Sequence, residues 1–202
     1  MTSAKELSLY LQNKGVLASP LLIESFNAVD RKDFVPADLQ ELAYEDYPLS
    51  IGGGQTISQP YTVAFMLELL ELKEEDTVLD IGCGSGWTTA LLAHAARSGF
   101  VTGLERIEHL LDFARENLEK YDFKNIRLEV AGKALGIPHH HFDKILVSAA
   151  AEELPLELVR QLNPGGIMVI PIQHSISVIY KKEDEGFEQR DYYGFRFVPL
   201  IY

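Results

Sequence analysis

The stretch 77-TVLDIGCGSGW-87 decides the fold of this chain. It begins with a short apolar run, which is typical of a strand buried on both faces of a sheet. Glycines then alternate at Gly82, Gly84 and Gly86, where they let the backbone turn tightly and a ligand approach main-chain atoms. The residues from Trp87 onward favour a helix. A strand, a glycine-rich turn and a helix in this order predict a ligand site at the turn.

Strands and helices alternate on the C-terminal side of this turn. Short apolar runs predict strands at 77–82, 100–105, 126–131, 142–150 and 166–172. Helical spacing of apolar residues predicts helices at 87–97, 107–118 and 155–162. This alternation implies βαβ units and a mainly parallel central sheet. The apolar runs within 177–184 and 189–201 have no helix between them, which suits a C-terminal antiparallel hairpin.

The N-terminal third of the chain favours helices. Ser3 and Glu6 have the spacing of a capping box, and Pro20 and Pro60 mark two more helix starts. We therefore expect a single domain over residues 1–202 with a three-layer, Rossmann-like α/β fold. Its two parts are a helical N-terminal cap (1–75), which contains a loop at 51–60, and a ligand-binding α/β core (76–202).

The loop at 51–60, IGGGQTISQP, combines consecutive glycines with neutral polar residues. The glycines would let a ligand approach closely, as in a phosphate-binding loop. However, no lysine follows, and the next residues offer no group that ionises near neutral pH. Ser58 lies just before Pro60 at a predicted helix start, so it is a candidate both for a ligand contact and for a helix cap.

Composition excludes several function classes. The chain has 18 basic and 30 acidic residues and a net charge of −12, which disfavours nucleic acid as a partner. The single cysteine fits a reducing compartment.

Neither a signal peptide nor an apolar run of about 18 residues is present, so a cytoplasmic protein without a membrane segment is expected. His139–His141 read as a solvated loop, because adjacent side chains splay apart and no cysteine or paired acid accompanies them.

The residues around the glycine turn favour one class of ligand. Glu105 ends the second predicted strand, near the offset of about 20 residues at which a carboxylate binds ribose hydroxyls. An adenosine-containing ligand is therefore expected. Asp80 precedes the glycines and would repel a pyrophosphate, whereas S-adenosylmethionine carries a sulfonium, an ammonium and no phosphate. The charge pattern thus favours S-adenosylmethionine over NAD.

Several motifs together resemble the protein-L-isoaspartate O-methyltransferases, which repair damaged aspartyl and asparaginyl residues in other proteins. The matching stretches are DRKDFVP (30–36), GQTISQP (54–60), VLDIGCGSGW (78–87), LERI (104–107), FDKILVSAA (142–150), LVRQLNPGG (158–166) and RFVPL (196–200). The glycine turn alone indicates only a class I methyltransferase, whereas the loop and the closing stretch are more specific. The resemblance runs over nearly the whole chain.

This resemblance implies S-adenosylmethionine as cofactor, S-adenosylhomocysteine as product, isoaspartyl proteins or peptides as partners, and no metal. A monomer is expected. It places the hydroxyl of Ser58 beside the methyl-accepting carboxylate as the catalytic residue. The substrate-binding residues implied are Thr56, Ile57, Gln59, Arg196, Phe197, Val198 and Pro199, the last four forming a strand against the substrate backbone. The cofactor-binding set is Asp80, Gly82, Cys83, Gly84, Glu105, Arg106, Gly132 and Lys133. Cys83 is expected to be a small residue packed in the turn, not a nucleophile.

The chain departs from the family's pattern at two places. The family usually has an aspartate after the third core strand that meets the adenine amino group, where this chain has Gly132 or Lys133. Losing that acceptor weakens cofactor binding by about 1–3 kcal/mol if its partner is left unpaired, and by nothing if a backbone carbonyl replaces it. The family also typically has glycine in place of Gln173.

The absence of an ionisable group in the loop is compatible with catalysis. An isoaspartyl residue presents a free carboxylate, which is already ionised and nucleophilic at neutral pH. The enzyme then needs to align two reactants and partly desolvate them, without removing a proton. The alternatives are a methyltransferase with another acceptor, a module that binds isoaspartyl peptides or cofactor without turnover, and, more distantly, a nicotinamide oxidoreductase.

Overall fold

The computed structural model describes residues 1–184 and 186–202. The α-helices are α1 (Ala4–Asn13), α2 (Pro20–Ala28), α3 (Pro60–Leu69), α4 (Trp87–Ala95), α5 (Glu108–Leu118) and α6 (Leu156–Arg160). The strands are β1 (Leu49–Gly52), β2 (Gln55–Ile57), β3 (Thr77–Ile81), β4 (Phe100–Glu105), β5 (Ile126–Val130), β6 (Phe142–Val147), β7 (Leu162–Ile172), β8 (Ser175–Lys181) and β9 (Phe187–Tyr193). Within these described residues, no helix is long and apolar enough to cross a membrane.

The central sheet has the strand order β5-β4-β3-β6-β7-β8-β9. Neighbours from β5 to β7 run parallel, and β8 and β9 close the sheet as an antiparallel hairpin. The prediction of a mainly parallel sheet with a C-terminal antiparallel hairpin is confirmed. In the parallel part, Ile81 pairs with Leu104, so β3 and β4 end at the same edge. Loops that follow parallel strands meet at that edge, which is where ligands bind in open α/β sheets.

Helices cover the two faces of the sheet unevenly. On one face, α1 to α5 bury a large apolar cluster that includes Leu67, Leu91 and Val169. On the other face, α6 and the segment around Leu135 bury a smaller cluster. This arrangement is the three-layer α/β fold expected from the sequence. The hydrophobic effect stabilises this fold, because the apolar stripes of the helices and the apolar faces of the strands are removed from water only when they pack together.

The N-terminal part forms the expected helical cap, with one feature that differs from the prediction. Ser3 caps α1, since its hydroxyl accepts a hydrogen bond of 3.3 Å from the Glu6 N–H. The stretch 51–60 is not a plain loop, because β1 and β2 pair in an antiparallel hairpin. Glycines 52–54 form its turn with φ values of +91°, +59° and +73°, a region that other residues adopt only with strain.

Several boundaries in the C-terminal half differ from the prediction; for example, β6 ends at Val147 and β9 at Tyr193, before the predicted 150 and 201. The final parallel strand begins at Leu162, four residues before the predicted 166, and α6 ends at Arg160. The stretch between Leu162 and Ile167 pairs irregularly with β6, and Gly165 has a φ of +75°. The proline and glycines there mask the strand in the sequence, since these residues are typical of turns.

The turn between β7 and β8 contains a residue whose replacement should stabilise the fold. Gln173 has a φ of +52°, which is strained for a residue with a side chain. We expect Gln173→Gly to raise the free energy of unfolding by about 1 kcal/mol, because the strain exceeds the exposed hydrogen bond that Gln173 Nε2 donates to the Glu152 carbonyl. Thermal unfolding should show a midpoint roughly 2–4 °C higher. Gln173→Ala, which retains the strain, is the matched control, and an equal gain there would contradict this explanation.

Candidate functional site

A cleft lies at the shared end of β3 and β4, where the glycine-rich turn folds back on the sheet. The N–H groups of Gly82 and Cys83 donate hydrogen bonds to the Leu104 carbonyl, at 2.8 and 3.1 Å. Gly82, Gly84 and Gly86 have φ values of +78°, +55° and +93°. Glycine is therefore required at all three positions for this turn. The turn leads directly into α4 and exposes its backbone to the cleft.

The Glu105 carboxylate holds this turn in place. Its Oε2 accepts a hydrogen bond of 3.0 Å from the Gly84 N–H, and its Oε1 accepts one of 2.9 Å from the Ile107 N–H. The side chain is buried but lines the cleft. Each carboxylate oxygen can accept more than one hydrogen bond, so Glu105 retains capacity for hydroxyl groups of a ligand.

Asp80 lies beneath the cleft and is completely buried. Its Oδ2 accepts hydrogen bonds from the hydroxyls of Thr88 and Thr89, at 2.8 and 2.7 Å. Its Oδ1 has no hydrogen-bond partner among the residues that the structure describes. Burial, together with the negative charge of Glu105, raises the pKa of Asp80 to about 6, although the hydrogen bonds from Thr89 and Thr88 oppose this increase. An unsatisfied buried carboxylate at this place favours a ligand with positive charge.

The cleft joins residues from both halves of the chain. It is lined by the predicted residues Thr56, Ile57, Ser58, Gly82, Cys83, Gly84, Glu105, Arg106, Val198 and Pro199. A cavity of about 370 Å³ adjoins it, shares six lining residues with it, and includes Gly132 and Lys133. The predicted residues outside these linings are Asp80 below the floor, Gln59, Arg196 and Phe197. The structure thus gathers most of the predicted site at one edge of the sheet.

Several lining residues were missed by the sequence analysis. They are Gln55, Ser85, Trp87, Thr88, Ser148, Ala149, Leu200 and Ile201. Ser148 and Ala149 follow β6, the neighbour of β3. The rule that parallel strands end at the ligand-binding edge could have identified these two. Leu200 and Ile201 could not be placed in this way, because they reach the cleft through the C-terminal tail.

Ser58 does not cap helix α3. The N-cap residue is Gln59, whose own side chain accepts no hydrogen bond from the helix N–H groups. The interpretation of Ser58 as a cap is therefore wrong, because Pro60 at the helix start moves the cap to the residue next to it. Within 1–184 and 186–202, no hydrogen bond to the Ser58 hydroxyl is found. That hydroxyl lines the cleft and is available to a ligand.

The stretch Arg196–Pro199 does not form the expected strand. It pairs through a single parallel β-bridge between Ala150 and Pro199. There, Ala150 N–H donates to the Val198 carbonyl and Leu200 N–H donates to the Ala150 carbonyl, both at 2.8 Å. Pairing ends after these two bonds, which fix Val198 and Pro199 in the cleft wall. Arg196 is exposed outside it.

Other groups considered from the sequence have no catalytic features. Burial raises the pKa of the Cys83 thiol well above its usual range, so it is a protonated, packed residue and a poor nucleophile. Across the described residues, no group of three or more metal-ligating side chains is placed to hold a metal ion. His139–His141 lie exposed, as expected for a solvated loop.

Comparison with known proteins gives a consistent result over the whole chain. A sequence model of the protein-L-isoaspartate(D-aspartate) O-methyltransferase family matches residues 2–202. A protein-L-isoaspartate O-methyltransferase from Petrotoga mobilis is 45% identical over 197 residues, covering 95% of this chain and 91% of that one. A protein-L-isoaspartate O-methyltransferase 2 from Pelobacter propionicus is 41% identical over 202 residues, covering 96% and 88%.

A solved structure with a similar fold contains a ligand. It is a crystal structure from Plasmodium falciparum, described as a protein-L-isoaspartate O-methyltransferase in complex with S-adenosyl-L-homocysteine. The TM-score is 0.89 at 27% sequence identity, and the match covers 100% of this chain and 99% of that chain. The fold and the length therefore agree along the entire sequence.

Proposed function

This chain belongs to the protein-L-isoaspartate(D-aspartate) O-methyltransferase family, and we propose that its cleft aligns an L-isoaspartyl carboxylate with the methyl group of S-adenosylmethionine. The observation that carries the proposal is the position of Ser58. Its free hydroxyl lines the same cleft as Glu105 and the glycine turn. One side of the cleft thus has the features of a cofactor site, and the other has neutral polar groups for an anionic acceptor.

The residues of the turn fit S-adenosylmethionine. Glu105 would accept hydrogen bonds from the ribose hydroxyls, and Gly82 and Gly84 would lie against the methionine end. The buried Asp80, with one unsatisfied oxygen, supplies negative potential for the ammonium and the sulfonium through Thr88, which lines the cleft. Cys83, Arg106, Gly132 and Lys133 complete the proposed cofactor-binding set.

The acceptor side needs alignment and no base. When bound, S-adenosylmethionine would supply an electrophilic methyl group, which passes to a carboxylate oxygen as its bond to sulfur breaks and S-adenosylhomocysteine leaves. The Ser58 hydroxyl orients the acceptor carboxylate with one hydrogen bond and leaves its charge intact. Thr56, Ile57 and Gln59 shape the cleft around it, and Val198 and Pro199 lie against the peptide, with Arg196 and Phe197 beside them. Such alignment can contribute several kcal/mol, up to roughly 7–11, to lowering the barrier.

The experiment that tests this function is a methyl-transfer assay on two peptides that differ only in one residue. One peptide contains L-aspartate and the other L-isoaspartate at the same position. We expect methyl ester on the isoaspartyl peptide alone, together with binding of S-adenosylhomocysteine by calorimetry. Binding without ester would identify a non-catalytic homologue, and ester on an unrelated acceptor would identify a different methyltransferase. Absence of binding at millimolar ligand would contradict the catalytic proposal.

Ser58→Ala should lower kcat on the isoaspartyl peptide about tenfold, because one hydrogen bond to a charged group is lost. The affinity for S-adenosylhomocysteine should stay unchanged. Ser50→Ala, which removes a hydroxyl from the same hairpin outside the cleft, is the matched control. Equal turnover of wild type and Ser58→Ala would remove Ser58 from the mechanism.

The cavity that adjoins the cleft offers a second prediction. Its two charged side chains, Arg106 and Lys133, can act only as hydrogen-bond donors, and no aspartate or glutamate side chain is among its described lining residues. The amino group of adenine needs an acceptor. We therefore expect Lys133→Asp to raise the affinity for S-adenosylhomocysteine about fivefold to tenfold in calorimetry. Lys5→Asp, on exposed α1, controls for net charge, and an unchanged affinity in Lys133→Asp would show that the backbone already supplies the acceptor.

The proposed setting of the protein follows from its charge and composition. We expect a monomer in the cytoplasm that acts on isoaspartyl proteins or peptides and binds neither nucleic acid nor membranes. The net charge of −12 supports the exclusion of polyanions.

A further inference from the structure

Arg31 is a fully buried cation beside the proposed acceptor site. Arg31 is only 1% exposed to solvent, and it is the first residue of the short 3₁₀ helix Arg31–Phe34. Among the described residues, no carboxylate oxygen lies within ion-pair distance of its guanidinium. Burying a charge without an ion partner is unfavourable unless hydrogen bonds replace its hydration. The contacts of the guanidinium therefore indicate what this residue does.

The guanidinium donates to backbone carbonyls from two separate segments. Nη1 donates to the Ala43 carbonyl at 2.7 Å and to the Glu45 carbonyl at 3.4 Å. Nη2 donates to the carbonyls of Tyr47 and Ser58, both at 3.1 Å. Tyr47 precedes β1 and Ser58 follows β2, so Nη2 joins the two strands at the open end of the hairpin.

The same guanidinium also contacts the cofactor side of the cleft. Its central carbon lies 5.3 Å from the centre of the Trp87 ring, a cation–π distance. Trp87 is the first residue of α4 and lines the cleft. One side chain therefore connects the base of the β1–β2 hairpin to the helix that follows the glycine turn.

We infer that Arg31 is a positioning residue that sets the Ser58 hydroxyl against the cofactor side of the cleft. This inference rests on the proposed function. Fixing the Ser58 carbonyl fixes the orientation of the Ser58–Gln59 peptide, and with it the direction of the Ser58 side chain. A planar guanidinium can bond to carbonyls in several directions within its plane, which the single ammonium group of lysine cannot reproduce.

The charge of Arg31 is retained under physiological conditions. Burial lowers its pKa to about 10, and the neighbouring Asp46 opposes that decrease. Asp46 also accepts a hydrogen bond of 2.9 Å from the Tyr61 N–H at the start of α3. Two charged residues, Arg31 and Asp46, thus bond to the backbone near the base of the β1–β2 hairpin, and Arg31 contacts the Ser58 carbonyl directly.

The test combines Arg31→Lys with Ser58→Ala in a double-mutant cycle on the isoaspartyl peptide. We expect Arg31→Lys to lower kcat about tenfold in the wild-type background, and to have less than a twofold effect when Ser58 is already alanine. The affinity for S-adenosylhomocysteine should change less than threefold. Additive losses, or a parallel loss of cofactor affinity, would overturn the positioning role and leave a general structural one.

Two further measurements separate positioning from stability. Hydrogen exchange of the amides in 49–57 should accelerate in Arg31→Lys, while exchange in β3 stays unchanged. Val178→Ala, a core change in β8, should lower the unfolding temperature without changing kcat. If Arg31→Lys does not fold, Arg31→Gln, which buries no charge, replaces it. Failure of both variants to fold would overturn the inference, whereas wild type inactive on the isoaspartyl peptide would overturn the proposed function.

Discussion

Glu105→Gln is expected to lower the affinity for S-adenosylhomocysteine by up to roughly 100-fold. Both oxygens of Glu105 accept backbone hydrogen bonds, from Gly84 and Ile107. Whichever oxygen becomes an amide nitrogen then faces an N–H donor, which lowers the stability of the ligand-free turn by about 1–3 kcal/mol. The affinity falls because the charge-assisted hydrogen bonds to the ribose hydroxyls are weakened, by about 1.5–3 kcal/mol.

Calorimetry with S-adenosylhomocysteine measures this effect directly. Glu119→Gln, at the exposed end of α5, is the matched control and should bind normally. Glu105→Gln should also unfold at a lower temperature than wild type, because the glycine turn loses a partner even without ligand. An affinity within threefold of wild type would contradict the placement of the ribose at Glu105.

The sequence was sufficient to predict the core of the fold. The run from Thr77 to Ile81 is apolar except for Thr77 and Asp80 and is followed by Gly82, so strand, turn and helix follow from local preferences alone. The amphipathic pattern of α5 is similarly local, since its buried residues Leu110, Leu111, Ala114 and Leu118 lie on one face. The cofactor-site residues of the glycine turn and Glu105 could be identified from the sequence, because they lie at the ends of β3 and β4, which are neighbours in the sheet.

The parts that could not be predicted depend on contacts between distant segments. The strands of the β1–β2 hairpin have only four and three residues, which is too short for a clear sequence pattern, and Arg31 bonds to the residues that flank them. Arg31 itself lies in the charged sequence RKD, which is typical of a solvated surface. Its burial becomes evident only when carbonyls from 43–47 and Ser58 converge on it. Similarly, only the family resemblance placed Val198 and Pro199 at the site, because no local pattern indicates the bridge to Ala150 that brings them to the cleft.

Asp80→Asn is expected to raise stability and lower cofactor affinity at the same time. The folded protein raises the pKa of Asp80 from 3.8 to about 6, so the ionised carboxylate destabilises the fold above that pH. This penalty is relieved as the pH falls through about 6 towards 4, where wild-type Asp80 becomes neutral. Asparagine is neutral at every pH, and its amide nitrogen can take the place of the oxygen that already lacks a partner among the described residues.

Thermal unfolding of ligand-free protein between pH 4 and pH 8 tests this prediction. At pH 8, Asp80→Asn should exceed wild type by about 1–3 kcal/mol, and the difference should disappear near pH 4. Asp143→Asn is the matched control of opposite sign, because hydrogen bonds from Thr77 and Asn163 lower the pKa of Asp143. It should lose stability at pH 8 and leave cofactor binding unchanged.

Cofactor binding should change in the opposite direction from stability. Removing the buried negative charge of Asp80 should weaken binding of S-adenosylhomocysteine about tenfold at pH 8, since its ammonium loses electrostatic stabilisation. Wild-type affinity should fall as the pH drops below about 6, whereas the affinity of Asp80→Asn should be nearly independent of pH in this range. A variant that binds as tightly as wild type, or that is less stable at pH 8, would contradict this role. The expected combination means that the fold tolerates an unfavourable buried charge at Asp80 because the bound cation compensates for it.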